Sequence, residues 1–170
     1  DGAYIKIEEK AVIEKLIHIV HLTDAADKDS IVSPRSFIAA GTSSQADILE
    51  SYISFSAGKY FSNALTDIFL MENANLGYFK AQGESPDAHH IGTTQVWQKR
   101  NSNFEAFTLT VGAALSRNNL TIILEETGAN AILNGLYTLK GTQHVDNHTL
   151  VDHRPPSCTS NQLYKGILND

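Results

Sequence analysis

The chain has 170 residues, 42% of them hydrophobic and 19% charged, with a formal net charge of −6 and a pI near 5.6. That length suffices for one domain with a real core, the acidic balance gives no cationic footprint for phosphates, and no apolar run approaches the roughly 20 residues of a membrane-spanning helix. Nucleic acid and membrane are therefore not expected partners, and the single cysteine, Cys158, which has no internal disulfide partner, fits a reducing, cytoplasmic setting.

In chain order, residues 1–7 read as a strand. Val12, Ile13, Leu16, Ile17 and Val20 then fall at helical spacing around Glu14 and Lys15. Because Val12, Ile13, Ile17, Ile19 and Val20 are β-branched and residues 36–40 also read as strand, strand is the favoured reading for this stretch. The polar residues 23–30 read as a loop between coils, as do residues 80–88 with Gly83, Ser85 and Pro86, while residues 112–119 fit either description.

From Thr42 onward one layout recurs: an apolar stretch, a small polar corner, then alternation. The corners begin at Thr42, Glu72, Arg100 and Thr127, spaced 30, 28 and 27 residues apart, and a degenerate fifth follows near Pro156 with Ser157-Cys158-Thr159-Ser160. Between corners the period is two: Phe104, Ala106, Thr108 and Thr110 alternate with Glu105, Phe107, Leu109 and Val111. The corners lack the Asn-Gly and Asp-Gly pairs of tight hairpins, so the strands need not be antiparallel neighbours. A repeat of about 28 residues with short strands predicts an all-β solenoid, in which each coil buries an apolar rung that no coil could bury alone.

The residues around this repeat also carry a likeness. Asn134-Gly135-Leu136-Tyr137, the run Gln143-His144-Val145-Asp146-Asn147-His148, and His90-Ile91-Gly92-Thr93-Thr94-Gln95-Val96 together resemble the SufB/SufD family of iron–sulfur cluster assembly proteins, on its SufD side. The resemblance spans nearly the whole chain and is weakest over residues 23–30. It implies a right-handed parallel β-helix of about six coils that pairs with a SufB-like subunit and, with a SufC-like ATPase, forms the complex on which clusters are built. Beginning mid-pattern without an initiator methionine, residues 1–170 read as a single β-helix core piece of a longer SufD-like protein, with the helical segments that flank the family's core absent. The later part of the family's core, which carries interface residues, has no matching position here.

Several side chains invite a chemical reading. His144, Asp146 and His148 alternate along a predicted strand, share one face at roughly 6 to 7 Å per step, and would offer a metal two imidazoles and a carboxylate. With Val145, Asn147, Thr149 and Val151 as the inward set, an outward polar ladder or subunit contact is the preferred reading, because no closed ligand set with supporting partners is visible. Cys158 is a candidate thiolate ligand, activated if Arg154 or His153 folds back at Pro155-Pro156, but one thiol holds no cluster and free cysteine is more often a small buried hydrophobe. No metal site is assigned, no cofactor is expected on this segment, and a cluster would touch it only transiently in the assembled complex.

His89 and His90 are adjacent, so they face opposite sides of a strand, and His18 and His21 are read as hydrogen-bonded structural histidines. Tyr4, Tyr52, Tyr60, Phe61, Phe69, Tyr78 and Phe79 are read as core or corner packing, and Asn63, Asn73, Asn130 and Asn147 as inward amide ladders. No nucleophile elbow, Walker loop, H-E-x-x-H or paired-cysteine signature is present, nor a defensible carboxylate dyad. The expected function is a non-enzymatic scaffold subunit, with possible self-association through exposed end coils. A polysaccharide-active β-helix enzyme and a metal-binding solenoid module are the competing classes.

Overall fold

A computed structural model of the chain describes residues 2–25 and 30–169. It is all-β. Thirteen strands follow one another: β1 (Gly2–Ile7), β2 (Ile17–Thr23), β3 (Ser30–Val32), β4 (Arg35–Ala40), β5 (Gln45–Ser54), β6 (Tyr60–Leu70), β7 (Asn75–Gly83), β8 (His89–Gln98), β9 (Asn103–Thr110), β10 (Leu115–Leu124), β11 (Asn130–Lys140), β12 (His144–His153) and β13 (Thr159–Asn169). They form two parallel sheets. Sheet A runs β1-β4-β6-β8-β10-β12, with β3 also on β6, and sheet B runs β13-β11-β9-β7-β5-β2. Apart from β3 and β4, which both lie in sheet A, the chain alternates between the sheets, which makes a solenoid of about six turns.

The register keeps the sequence repeat in phase. Strands β5, β7, β9, β11 and β13 start 30, 28, 27 and 29 residues apart, with Gln45, Asn75, Asn103, Asn130 and Thr159 in one row. Each corner before them places one residue in the left-handed region: Ser43, Asn73, Asn101, Gly128 and Ser157, and the same geometry at Lys10 marks a further corner that the repeat spacing missed. A small residue follows each, Ser44, Ala74, Ser102, Ala129 and Cys158, and the first four are fully buried at the inside of the corner. Cys158, at the degenerate fifth corner, is thus a corner filler, half-buried against the core with its Sγ donating to the Glu126 carbonyl at 3.3 Å.

Inside, the cross-section divides in two. Beside the corners the lining is apolar: Ile38, Ile48, Ile68, Leu76, Val96, Phe104, Ile122 and Leu133 form one continuous cluster of fully buried rungs. Away from the corners the inward positions turn polar, with Glu50, Lys80, Gln82, Glu84, His90 and Asn118 buried.

Several expectations change. Residues 12–20 contain no helix; Val12 makes a single bridge to Gln45, and the strand proper starts at Ile17. Residues 80–83 are not an excursion but the end of β7, held in register between Glu50 of β5 and Thr108 of β9, so the turn is confined to residues 84–88. Within residues 112–119 the strand begins at Leu115. Of the loop expected at 23–30, Thr23 and Ser30 belong to strands and residues 26–29 lie outside the described residues.

The amide ladders also move. Asn147 is inward and accepts from Asn118 Nδ2 at 3.3 Å, but Asn63 and Asn73 face solvent, and the clearest ladder joins Asn103 Nδ2 to Asn75 Oδ1 at 2.8 Å on the outer row of sheet B. Tyr52, Tyr60 and Tyr78 are core residues, whereas Tyr4, at an outward position of β1, is 71% exposed. It starts an outer-face aromatic stack on sheet A, Tyr4–Phe37–Phe69–Trp97, with ring centroids 5.4, 5.2 and 4.4 Å apart.

Candidate functional site

The chemistry-bearing groups gather inside the polar half of the solenoid. Glu50 is its centre. Parity puts Glu50 on the inward face of β5 with Ile48 and Tyr52, and its carboxylate is sealed from solvent. Oε1 accepts from Ser36 Oγ at 2.6 Å and meets His21 Nε2 at 2.8 Å, while Oε2 accepts from Thr66 Oγ1 at 2.9 Å and from the Tyr78 hydroxyl. Burial alone would raise this carboxyl's pKa, but the hydrogen bonds from His21, Ser36, Tyr78 and Thr66 outweigh it and hold the group at about 2.

One coil further on, Lys80 stands inward on β7 in register with Glu50. Its ammonium donates to Asn118 Oδ1 at 3.0 Å and lies 5.1 Å from the centre of the Tyr52 ring. Burial lowers its pKa to about 8, with Glu50 and Glu84 limiting the drop. The opposite sheet makes room at Gly92, where a Cβ would run into Lys80 Nζ and lie 2.8 Å from His90 Nε2. A side chain there would have to displace the lysine head, which fills the space left by the missing Cβ.

Glu84 and His90 close the cluster. Glu84 accepts from Gln82 Nε2 at 2.9 Å and from Tyr60 OH at 3.0 Å, and its Oε2 lies 2.7 Å from His90 Nδ1. That last contact is an ion-pair approach without the alignment of a ring N–H hydrogen bond, so neither ring nitrogen of the fully buried His90 has an in-line partner. Burial and then Lys80 push the His90 pKa down against the pull of Glu84, while Glu84 itself, despite burial, is lowered by His90, Gln82 and Tyr60. Tyr52, Tyr60 and Tyr78 are all raised, first by burial and then by the carboxylates, so they act as hydroxyl donors. A cleft of about 620 Å³ at the first-coil end has His21, Tyr52 and Ser62 in its lining, and His21 connects it to Glu50.

The residues singled out in the sequence lie elsewhere. His144, Asp146 and His148 do share the outer face of β12, but Asp146 is bound by Arg117 at 2.7 Å, and among the described residues no three His, Cys, Asp or Glu side chains are grouped to hold a metal. Arg154 pairs with Asp152 at 2.9 Å and approaches Glu125 at 3.7 Å, and His153 shares a hydrogen bond with Ser160 Oγ at 2.9 Å. Both are engaged away from the Cys158 thiol. His18 shares a 2.9 Å hydrogen bond with Ser51 Oγ, and with His21 on Glu50 both are hydrogen-bonded as expected.

Sequence reasoning missed Glu50, Lys80, Glu84 and His90 as a group. The available signal was parity: a charged residue at an inward position between Ile48 and Tyr52, and another between Tyr78 and Gln82, is unusual unless each charge meets a partner inside.

Residues 21–170 match the family model described as the SUF system FeS cluster assembly SufBD core domain. Similar curated proteins include an iron–sulfur cluster assembly SufBD family protein of Synechocystis, 30% identical over 100% of this chain and 39% of its own length. The iron–sulfur cluster assembly protein SufD of Escherichia coli is 23% identical over 92% of this chain and 37% of its own length. The chloroplastic protein ABCI7 of Arabidopsis thaliana is 25% identical over 99% of this chain and 37% of its length. The chain thus spans under two fifths of each of these relatives. Among the described residues no helix is long and apolar enough to cross a membrane.

Proposed function

Because the chain belongs to the SufBD core family of iron–sulfur cluster assembly proteins, we propose that it is the rigid core of a non-catalytic scaffold subunit that pairs with a SufB-like subunit and a SufC-like ATPase in the cytoplasm. The observation that carries this reading is the family match laid over a parallel solenoid whose Glu50, Lys80, Glu84 and His90 are buried and engaged with one another. Glu50 is held ionised by four donors, Tyr52, Tyr60 and Tyr78 are kept protonated, and Lys80, lowered to about 8, is wholly buried, so these groups are arranged to hold one another and not to meet a substrate. A stiff stack of coils instead offers flat faces and end strands to partners. The cluster under assembly is cargo of the complex, and none of the side chains grouped in this chain is proposed to hold it as a resident cofactor.

The test is co-purification. The tagged full natural chain, expressed with SufB-like and SufC-like partners, should recover both in fixed stoichiometry and hydrolyse no ATP by itself. Recovery of the chain alone with both partners in excess would refute the assignment of partners, and ATP turnover by the isolated chain would refute the non-catalytic role.

A further inference from the structure

The cleft of about 620 Å³ at the first-coil end follows from the register. Strand β1 starts over Arg35 of β4, so β3, which pairs with β6, has no strand above it among the described residues, and Ser62 of β6 lines the cleft beside Val32. Of the inward residues that cover the next coil, Ala3 stands over Ser36 and is short, Ile19 stands over Glu50, and His21 over Tyr52. The lining is apolar along Ile19, Ile31, Val32 and Pro34 and polar at His21, Tyr52 and Ser62. That size, with mostly apolar walls and a few convergent polar groups, is the form of a small-ligand site.

His21 decides the ligand's chemistry. Glu50 is ionised and can only accept, so Nε2, which lies 2.8 Å from it, carries the ring hydrogen, and in the neutral imidazole Nδ1 keeps a lone pair. Nδ1 has no hydrogen-bond partner among the described residues, and the His21 side chain is 14% exposed where it lines the cleft. A group that meets this lone pair must be a donor. Charge narrows the class further. Among the described residues the buried carboxylates of Glu50 and Glu84 face one buried cation, Lys80, because His90 is pushed toward its neutral form. The cluster behind His21 therefore holds one negative charge without a partner, a costly state in the interior that a cation at the nearest opening relieves. That opening is the cleft. A bare metal ion would find no group of three ligating side chains among the described residues. An ammonium supplies both the donor and the charge, and an aliphatic stem behind it covers the apolar wall.

We propose that this cleft binds a protonated aliphatic amine, whose N–H donates to His21 Nδ1 while Glu50 holds the imidazole from behind. The site goes beyond the scaffold role and does not depend on it. A proton on Nδ1 brings the same charge as the ligand and takes the same lone pair, so acid competes with the amine. The charged and titratable groups around the ring are Glu50 and Tyr52 of β5, Lys80 and His90 against the Tyr52 ring, and His18 and Asp24 near it in sequence. Ala3, Val32 and Ser62, which share the cleft from sheet A, carry no charge.

The experiment is an NMR titration of the full natural chain, carrying ¹⁵N-labelled histidine, with n-butylammonium at pH 8. His21 is then in the Nε2–H tautomer, its Nδ1 signal shifts as amine is added, and the dissociation constant is on the order of 1 mM. n-Butanol and butyrate, which share the stem but not the positive charge, bind about ten-fold more weakly or worse, and the amine itself binds about five-fold more weakly at pH 5.5. Ala3→Phe, which fills the cleft from β1 without removing a donor from Glu50, abolishes the shift, and His18→Ala on the outer face of β2 leaves it unchanged. His21→Ala abolishes binding as well, and because it also strips Glu50 of a donor, Ala3→Phe separates loss of the site from loss of the fold. Nα-acetyl-lysine amide, run alongside, distinguishes the source: binding within about three-fold of n-butylammonium shows that the cleft admits a lysine on a polypeptide, and weaker binding restricts it to free amines. Butanol or butyrate binding as well as the amine, tighter binding in acid, an Nδ1–H tautomer at pH 8, a shift that survives Ala3→Phe, or no shift at His21 up to about 50 mM amine overturns the proposal.

Discussion

The two halves of the solenoid interior are built from the same strands but obey different rules. Beside the corners, Ile38, Ile68, Val96 and Ile122 contact one another through undirected dispersion and the burial of apolar area, so a missing methyl is a local loss. Around Glu50 each group satisfies several others, and the loss of one atom leaves donors stranded where water cannot reach them. Apolar rungs are interchangeable within a volume limit, and polar ones are not.

The sharpest way to break that contrast is one near-isosteric change in each half. Ile68→Val should cost about 1 kcal/mol. Glu50→Gln should cost about 3 kcal/mol or more, because the carboxylate takes two donors on each oxygen and a side-chain amide has only one acceptor, leaving two donors facing an NH₂ group. Urea unfolding of the two variants measures both numbers, and equal costs would mean that the polar half behaves like ordinary core.

Acid separates the halves next. Glu50 has a folded pKa near 2 against an ordinary 4.5, and Glu84 is also lowered, so the stability they supply is present above about pH 4.5 and is lost as pH falls toward 2. His90 is lowered from 6.5, so folding opposes its protonation and stability falls as pH drops through the unfolded value. All three act in the same direction. Stability should decline from about pH 6.5 downward, with Glu50 alone contributing about 3 kcal/mol of loss by pH 2. A midpoint of thermal unfolding that is flat from pH 7 to 4 would contradict this.

How much of this was legible in the residues differs between the same two halves. The repeat, the parallel stacking and the alternation of Phe104, Ala106, Thr108 and Thr110 with Glu105, Phe107, Leu109 and Val111 followed from spacing, whereas which of those two sets faces inward is shown by burial alone. The left-handed corner at Lys10 was hidden, since the first turn is longer than the later ones and breaks the spacing. The polar cluster was hidden for another reason. Its charged members, His21 on β2, Glu50 on β5, Lys80 on β7, Glu84 in the turn after β7 and His90 on β8, are spread over residues 21–90, and only exact register brings Glu50 beside Lys80 and sets Gly92 where it clears the Lys80 head. The histidines that attracted attention, His144 and His148, cluster in sequence and stand on the outer surface, while His90, which looked unremarkable, is the one fully buried.

Lys80 offers a smaller effect of opposite sign. Its folded pKa of about 8 lies below the ordinary 10.5, so the folded state gives up this proton first, and between pH 8 and 10.5 stability rises with pH because the unfolded chain still binds it. Below pH 8 the charged lysine is a net cost, and Lys80→Met should stabilise the protein by about 1 to 2 kcal/mol at pH 7 and remove the alkaline rise. Destabilisation by this variant would show that the ammonium is needed to hold Glu50 and Glu84 together.

The smallest expected effect belongs to Cys158. It fills the corner slot occupied in earlier coils by Ser44, Ala74, Ser102 and Ala129, its thiol points at a carbonyl, and His153 and Arg154, both before it in sequence, are engaged elsewhere. Replacement by alanine, which two of those corners already use, should change stability by less than about 1 kcal/mol, and Cys158→Ala protein should assemble with its partners as wild type does. The native thiol should alkylate more slowly than a model peptide thiol at the same pH, since a half-buried sulfhydryl donating to a backbone oxygen is shielded from the reagent. A faster reaction, or failure of the alanine variant to assemble, would return Cys158 from corner packing to chemistry.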